Sequence, residues 1–560
     1  MSKDIYSLGI HIGHDRCVAL VKNGNLIASL AQERLDRIKH SDSSEIPYKT
    51  IDTLLNYCHV DISMIDYIGF TFSSVNAQEL KQYYYEEIET HYHINSFNLI
   101  PVSHHLAHAE SAFCTSDFSK ALIFIADGGG DNHGKMTESE SLYIGINNQV
   151  IPLEARYQIP PVNAIYKKQN YIYPFMNKEQ LLDPISIGRK YEQITYLLGF
   201  KWGECGKTMG LASYGKTMID FSKLKIDSLD FDLPLRFLIQ EIYVKYLESG
   251  DNYFNFLNRE SANIAQTVQE LTEVILIQII EYITKKYNIY NVCLAGGTFL
   301  NCMLNHKLLE TLPNLHLHIC PATGDDGQAA GAAFYAYKQS GKGVRNNNSV
   351  LPYLGISYTN SEIKKELNSF NLKYTYLDDV GLSKKVAQYI YNNKIVAILR
   401  GRSEFGPRAL CHRSILANPT WEGMKDHLNK EVKHREYFRP FAPVVIEEKA
   451  FDIFDLKQLS PFMLLACKVK DQYISKIPSV THIDQTARVQ TINRMQEPFI
   501  HTLLLQFEKL SGVPVLLNTS FNDNGQPIVE TPTDAIQTFL NTNIDILVLE
   551  NYCVEKIESL

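Results

Sequence analysis

Apolar and polar positions alternate at the start of the chain. IYSLGIHIGHDRCVALVKNGNLIASLAQE predicts a strand, a short loop, a strand, an Asn23-Gly24 turn and a third strand. The polar tip between the first two strands is Gly-His-Asp-Arg, residues 13 to 16. A continuous apolar run, ALIFIADGGGD, predicts a buried strand that ends on Asp127 and three glycines. Apolar residues at helical spacing predict a long helix over Asn263–Asn288, feeding a strand and a glycine turn in YNVCLAGGTFLNC. LHLHICPATGDDGQAAGAAFYAY then predicts a strand, a loop holding two aspartates and a small-residue helix. Strands that end in Gly/Asp turns ahead of helices predict an α/β fold.

The Gly-, Asn- and Ser-rich stretch Tyr337–Gly355 predicts a domain boundary. The pattern restarts beyond it, with arginines gathering at predicted strand ends and turns. Two Tyr-rich segments, Gln82–His93 and Tyr166–Phe175, are candidates to line a substrate cleft, although tyrosines at surface or core positions are commoner.

Composition narrows the function classes. The chain has 560 residues, 45% of them hydrophobic and 21% charged, which is ordinary globular make-up and room for more than one domain. A formal net charge of −8 argues against a nucleic-acid partner. The ten cysteines form no CxxC pair, which speaks against a zinc ribbon or thioredoxin-type site. The start of the sequence lacks the apolar core of a signal peptide, and no apolar run is long enough to span a bilayer. A cytoplasmic location without membrane attachment is the expectation.

Candidate chemistry begins with VSHHLAHAESAF. On a helix, His104 and His108 share one face four residues apart, and His105 points elsewhere. Such a pair is either a pincer for a divalent metal or a polar helix face. Asp127 and Asp325 would complete a two-His, two-carboxylate set suited to Fe(II), Mn(II) or Zn(II) rather than calcium. Asp325 is followed by Asp326, and only one of the two is expected to face a metal. The glycine turns carrying Gly128, Gly129, Gly296 and Gly297 are candidates to cradle phosphate with main-chain N–H groups. With the turn in GIHIGHD after the first strand, they make a three-part pattern that looks like the acetate-kinase/actin/hsp70 (ASKHA) class of ATP-binding folds.

These residues carry a family resemblance. HHLAHAESAF, GECGKTMGLASYG, LAGGTFLNC and GDDGQAAGAA resemble the carbamoyltransferase family, which includes nodulation-factor and antibiotic-tailoring O-carbamoyltransferases of secondary metabolism. GRSEFGPRALCHRSIL, KHREYFRPFAPVV, ARVQT and NTSFNDNGQPIVETPTDA extend the resemblance over almost the whole chain, in order. Two positions depart from the pattern: Cys411 stands where Gly is usual, and Gln32 where Glu is usual.

The resemblance implies an α/β protein of two parts. Residues 1–345 would form an ASKHA-type, threonylcarbamoyl-transferase-like domain with a metal site. Residues 351–560 would form a YrdC-like domain resembling threonylcarbamoyl-AMP synthase. The implied activity is ATP-dependent carbamoyl transfer. Carbamoyl phosphate and ATP, with Mg on the nucleotide, give carbamoyl-AMP, and the carbamoyl group passes to a hydroxyl of a small metabolite. The N-terminal metal is expected to be iron.

Site roles follow from the same likeness. Lys433 and Arg435 in KHR would clamp phosphate or carbamoyl oxygens, and Ser520 and Asn522 in SFN would hold the adenylate. Arg402, Arg408, Arg413, Arg439 and Arg488 supply further forks for two polyanions, against a plainer reading in which they pair with Glu404 and Glu436. Glu204, Lys207 and Asn301 are expected near the adenylate in the N-terminal half. His14 is the candidate base for the acceptor hydroxyl, its ordinary pKa near 6.5 suiting that work. Two other readings share these features: threonylcarbamoylation of tRNA, which the acidic chain disfavours, and a nucleotide- and metal-binding scaffold. An oligomer is compatible with the sequence.

Overall fold

The computed structural model describes residues 4–73, 76–94, 96–134, 136–158, 186–229, 242, 244–250, 253–341 and 350–556. The tyrosines of Tyr166–Phe175 lie outside the described residues. The chain divides into two compact units. The first comprises Met1–His11, Asn23–Asn25 and Asp66–Ser349, and the second Ile12–Lys22, Leu26–Ile65 and Val350–Leu560.

The opening alternation becomes β1 (Tyr6–Ile12), β2 (Cys17–Lys22) and β3 (Asn25–Ala31). Asn23 and Gly24 take φ of 50° and 79°, the pair of positive values a tight hairpin turn requires. In the first unit, β4 (Ile65–Phe72) lies between β1 and β5 (Asn98–Pro101), with β4 and β5 parallel.

The first unit's second sheet holds the strands that end at the candidate site. It contains β6 (Lys120–Ala126), β7 (Asn132–His133), β8 (Met136–Ile146), β9 (Gln149–Gln158), β10 (Asn291–Ala295) and β11 (His316–Ile319). Their order is β11-β10-β6-β8-β7, with β9 on β8. β11, β10 and β6 run parallel, so their carboxyl ends share one edge. β6 is buried from Ala121 to Ala126, as a central strand covered on both faces must be. Each large apolar side chain removed from water there contributes roughly 1.5–3 kcal/mol.

Helices cover these strands. The apolar-periodic helix runs over Tyr253–Tyr287, starting ahead of the expected Asn263. The helix His104–Cys114 packs through Ala109, Ala112 and Phe113 on Ile123, Ile125 and Cys293. It also meets the small-residue helix Gln328–Lys338 at very short range. A Cβ built on Gly331 would lie 1.8 Å from the Ala107 carbonyl oxygen, so only glycine allows this approach. The Tyr-rich stretch forms the helix Lys81–Tyr92, with Tyr84 buried and Tyr83 exposed.

The second unit's large sheet has nine strands. They are β12 (Thr375–Tyr376), β13 (Val396–Leu399), β14 (Arg413–Ala417), β15 (Ala442–Ile446), β16 (Leu465–Lys468), β17 (Thr486–Ile492), β18 (Val515–Ser520), β19 (Ile546–Leu549) and β20 (Tyr552–Glu555). The order is β12-β20-β19-β13-β14-β18-β15-β17-β16, a mixed sheet with β14, β18 and β15 near its middle. The ten cysteines are all unbridged. No helix among the described residues is long and apolar enough to cross a membrane.

Candidate active site

The first unit brings four side chains together at the shared strand edge. His104 and His108 come from the first two turns of their helix. Asp127 directly follows β6, and Asp325 opens the 3-10 turn Asp325–Gly327 beyond β11. One ligand atom from each lies within 4.8 Å of all the others. His104 Nε2 is 3.1 Å from Asp127 Oδ2 and 3.4 Å from Asp325 Oδ1; His108 Nε2 is 3.5 Å and 3.2 Å from the same two oxygens. Close approach of strand, turn and helix depends on Gly296, whose φ is +102° and whose Cβ would meet the Ala126 carbonyl oxygen at 2.2 Å.

Neighbouring groups fix the orientation of each ligand. His104 Nδ1 lies 3.3 Å from the Phe72 carbonyl, which can only accept, so that nitrogen carries a hydrogen and Nε2 is the ring atom turned to the two carboxylates. The Gly297 N–H donates to Asp127 Oδ1 at 2.8 Å, and the His104 main-chain N–H donates to Asp131. Thr71 and Gln328 support Asp325, with Gln328 Nε2 at 3.5 Å from its Oδ1.

The electrostatics favour a cation. Burial pushes the Asp127 carboxyl up, as does Asp325, but hydrogen bonds from His104 and His108 reverse this and hold it well below its ordinary value. Burial pushes His104 down, yet the two carboxylates lift it well above its ordinary value. A buried carboxylate, Asp325, and a half-buried one, Asp127, facing two buried imidazole Nε2 atoms fit a divalent transition metal, and the N2O2 donor set matches that chemistry.

His105 stands apart from the four. Its Nδ1 meets Ser141 Oγ at 2.7 Å and Glu138 at 3.5 Å, and burial, then His104 and His108, push its pKa well down. His11 is a neighbour that the spacing of residues 104 and 108 does not reveal. Its Nε2 is 3.6 Å from Asp325 Oδ2 and its ring centroid 6.2 Å from that of His104. Its signal was its place in GIHIG, at the end of a buried strand.

The remaining first-unit candidates take distinct positions. The Gly128 carbonyl accepts from Ser186 Oγ and Arg189 Nε, and Gly129 sits in the same turn beside Gln158. Asn301 caps the helix Cys302–Thr311 and exchanges hydrogen bonds with Gln269. Glu204 and Lys207 pair at 2.7 Å, with Glu204 also accepting from the Lys201 N–H.

A second constellation lies in the second unit. Lys433 ends the π-helical turn Asn429–Lys433, an uncommon geometry frequent at functional sites. Its Nζ donates to Asn522 Oδ1 at 2.7 Å, to the Asn522 carbonyl at 3.0 Å and to the Ser520 carbonyl. Ser520 Oγ donates to Asn522 Oδ1 at 2.7 Å, which ties the KHR and SFN motifs together. Arg435 lies over the Phe441 ring at 4.2 Å, with Nε donating to Asn429 Oδ1. Asn429 Nδ2 is buried without a hydrogen-bond partner, and Asn429 and Arg435 line a cleft of about 360 Å³ with Asp426, Lys430, His434 and Tyr437.

Positive charge accumulates here. Burial, then Arg435 and Arg439, pushes the Lys433 ammonium well below its ordinary value. Burial, then Arg439 and Arg488, pushes Arg435 down to about 9. Arg439 is 4.0 Å from Glu436, a weak pairing. Cations packed at this density fit a polyanion.

Two arginines are placed otherwise. Arg413 is fully buried, donating to the carbonyls of Gly401 and Ile356 and lying 3.8 Å from Glu530. Arg402 donates to the carbonyls of Gly355, Leu354 and Ile27. Both brace main chain. Arg408 is half-buried. Glu404 accepts from the N–H groups of Leu410, His412 and Arg413 and so shapes the GPRAL loop. In that loop Cys411 has φ of +80°, the conformation glycine adopts most readily. Gln32 is buried and accepts from Thr50, an internal role. His14 also belongs to the second unit, with Nδ1 3.1 Å from Asp15 Oδ2.

Comparison with known proteins agrees over most of the chain. Residues 88–334 match the carbamoyltransferase N-terminus and residues 387–556 the carbamoyltransferase C-terminus. Nodulation protein NolNO of Sinorhizobium fredii is 32% identical, over 97% of this chain and 79% of its own length. An uncharacterized protein of Synechocystis is 32% identical, over 97% of this chain and 95% of its own. Among solved structures, full-length HypF in a phosphate- and nucleotide-bound form aligns with a TM-score of 0.43 at 16% identity, over 60% of this chain and 56% of that one.

Proposed function

This chain belongs to the carbamoyltransferase family and is an enzyme that transfers carbamoyl groups, and from that premise we propose that it does so through carbamoyl-AMP. Carbamoyl phosphate first loses phosphate to water. An oxygen of the resulting carbamate attacks the α-phosphorus of ATP and expels pyrophosphate. A hydroxyl of a small metabolite then attacks the carbamoyl carbon, and AMP departs. The mixed anhydride serves as donor because AMP is a good leaving group where the oxyanion of free carbamate is not. The acceptor gives up its proton to His14.

The observation that carries this reading is the cation group of buried Lys433 and half-buried Arg435, Arg439 and Arg488 in the second unit. Arginine forks hold phosphate oxygens in bidentate fashion, and Lys433 bridges the strand end that presents Ser520 and Asn522. We assign adenylate formation to residues 351–560 as a YrdC-like domain. We assign transfer to residues 1–345 as an ASKHA-type domain, with the glycine turns at Gly128, Gly129, Gly296 and Gly297, and with Glu204, Lys207 and Asn301, serving the nucleotide. Mg accompanies ATP.

His104, His108, Asp127 and Asp325 would hold the metal, with Fe(II) as our assignment. When bound, it supplies a Lewis acid for phosphate or carbamoyl oxygen. The residues' own work is to keep two imidazole Nε2 atoms and two carboxylates converged: the Phe72 carbonyl fixes the His104 ring, and the Gly297 N–H fixes Asp127.

The test needs no acceptor. The protein is mixed with ATP, magnesium and carbamoyl phosphate, and pyrophosphate and carbamoyl-AMP are followed by mass spectrometry. Pyrophosphate release that depends on carbamoyl phosphate is expected. Its absence in folded, metal-loaded protein overturns the adenylate route.

A further inference from the structure

His14 shares its carboxylate partner with a second imidazole. Asp15 Oδ2 lies 3.1 Å from His14 Nδ1, and Asp15 Oδ1 lies 2.8 Å from His40 Nδ1. One carboxylate is therefore gripped by two rings, one per oxygen. His40 is held in turn, since its main-chain N–H donates to Glu33 Oε2 at 2.9 Å.

The backbone around this trio is built for it. Asp15 has φ of 55° and His40 of 57°, both in the left-handed region that few non-glycine residues other than Asn, Asp and His adopt. Such conformations persist only where the surroundings over-determine them, and they gather at functional sites. Here the two turns are zipped together. Gly13 and Ser43 exchange main-chain hydrogen bonds at 3.1 Å each, and the Arg16 N–H donates to the Ser41 carbonyl. Arg16 adds a guanidinium bond to Ser41 Oγ at 2.9 Å. The loop after β1 and the loop before Tyr48–Tyr57 thus present Asp15 and His40 to each other at fixed range. The rings remain only partly covered, with 35% of the His14 side chain and 31% of the His40 side chain exposed.

We infer that Asp15, clamped between His14 and His40, is the positioning carboxylate that fixes the His14 tautomer for carbamoyl transfer. This rests on the reading of His14 as the base. A carboxylate can only accept, so the His14 nitrogen that faces it must carry the hydrogen. The imidazole lone pair then resides on Nε2. The acceptor O–H proton passes to that Nε2 as the oxygen attacks the carbamoyl carbon and AMP leaves. Asp15 keeps its charge throughout and stabilises the imidazolium, the part an aspartate plays beside a catalytic histidine in other active sites. His40 holds the second oxygen and prevents the carboxylate from rotating. Burial would raise the Asp15 carboxyl, but the hydrogen bonds from His14 and His40 bring it down to about 2, so the clamp is charged at neutral pH.

Asp15→Asn separates this role from simple bulk. An amide can present its NH2 to His14 and force the hydrogen onto Nε2. The first readout is the 15N–1H long-range spectrum of protein labelled in its histidine rings, at about pH 8, above the usual imidazole range near 6.5. His14→Asn and His40→Asn assign the signals. His14 is expected as the Nδ1–H tautomer in the natural protein and shifted towards Nε2–H in Asp15→Asn. The second readout is consumption of carbamoyl-AMP with water as acceptor probe. Asp15→Asn is expected to slow it about a hundredfold or more, approaching His14→Asn, with Asp15→Glu recovering part of the rate. An Nε2–H tautomer in the natural protein, or a tautomer unchanged in Asp15→Asn, overturns the inference. Unchanged consumption in His14→Asn overturns the base reading instead, whatever the tautomer shows.

Discussion

His108 Nε2 lies 3.2 Å from Asp325 Oδ1, although one residue sits on an early helix and the other in a turn late in the same unit. The same oxygen is 3.4 Å from His104 Nε2. Two imidazoles thus converge on one buried carboxylate, with Asp127 closing the set. This is the arrangement a divalent ion holds together. The protein is expected to carry roughly one transition-metal ion per chain, and His108→Ala or Asp127→Asn to lower occupancy at least about tenfold. Elemental analysis of the three purified proteins checks this. Equal metal content in all three would remove these residues from the binding set.

Arg435 stacks on Phe441 and donates to Asn429, so its fork is aimed before any ligand arrives. Lysine keeps the charge but loses the planar fork. Arg435→Lys is therefore expected to raise the KM for carbamoyl phosphate in the pyrophosphate assay by roughly 10- to 100-fold, the worth of one charge-assisted hydrogen bond of about 1.5–3 kcal/mol. Thermal stability should stay close to that of the natural protein. An unchanged KM would exclude Arg435 from phosphate contact.

Asp15 links the His14 loop to acid stability. Its folded-state pKa of about 2 lies below the ordinary 3.8, so it binds its proton less readily when folded. The stability it contributes, roughly 2 kcal/mol before allowance for its partial exposure, is present above about pH 4 and is lost as pH falls through about 2. Urea midpoints of the natural protein and Asp15→Asn should therefore converge as pH drops from about 5 towards 2. A gap that stays constant over that range would contradict the assignment.

Cys411 holds φ of +80° while fully buried, with Sγ 3.5 Å from Gln490 Oε1 and from Asn518 Nδ2. Glycine would relieve about 1–2 kcal/mol of backbone strain and lose two weak sulfur contacts. Cys411→Gly is expected to match or exceed the natural protein in urea midpoint, and Cys411→Val to fall below it. The reverse order would show that the sulfur contacts outweigh the strain.

What the sequence determined by itself was local. The Asn23-Gly24 hairpin, the buried β6 run, the helix that places His104 and His108 on one face, and the small-residue helix after Asp325 all follow from spacing and turn chemistry. Those signals act over a few residues, and neighbouring side chains suffice to express them. Tertiary structure decided what each arginine touches. Arg402 and Arg413 look like Arg435 in sequence, yet they brace main-chain carbonyls while Arg435 faces a cleft. It also decided the membership of Ile12–Lys22 and Leu26–Ile65 in the second compact unit, and hence the meeting of Asp15 with His40. A guanidinium is satisfied by any oxygen within reach, and reach is set by how distant segments pack rather than by spacing along the chain.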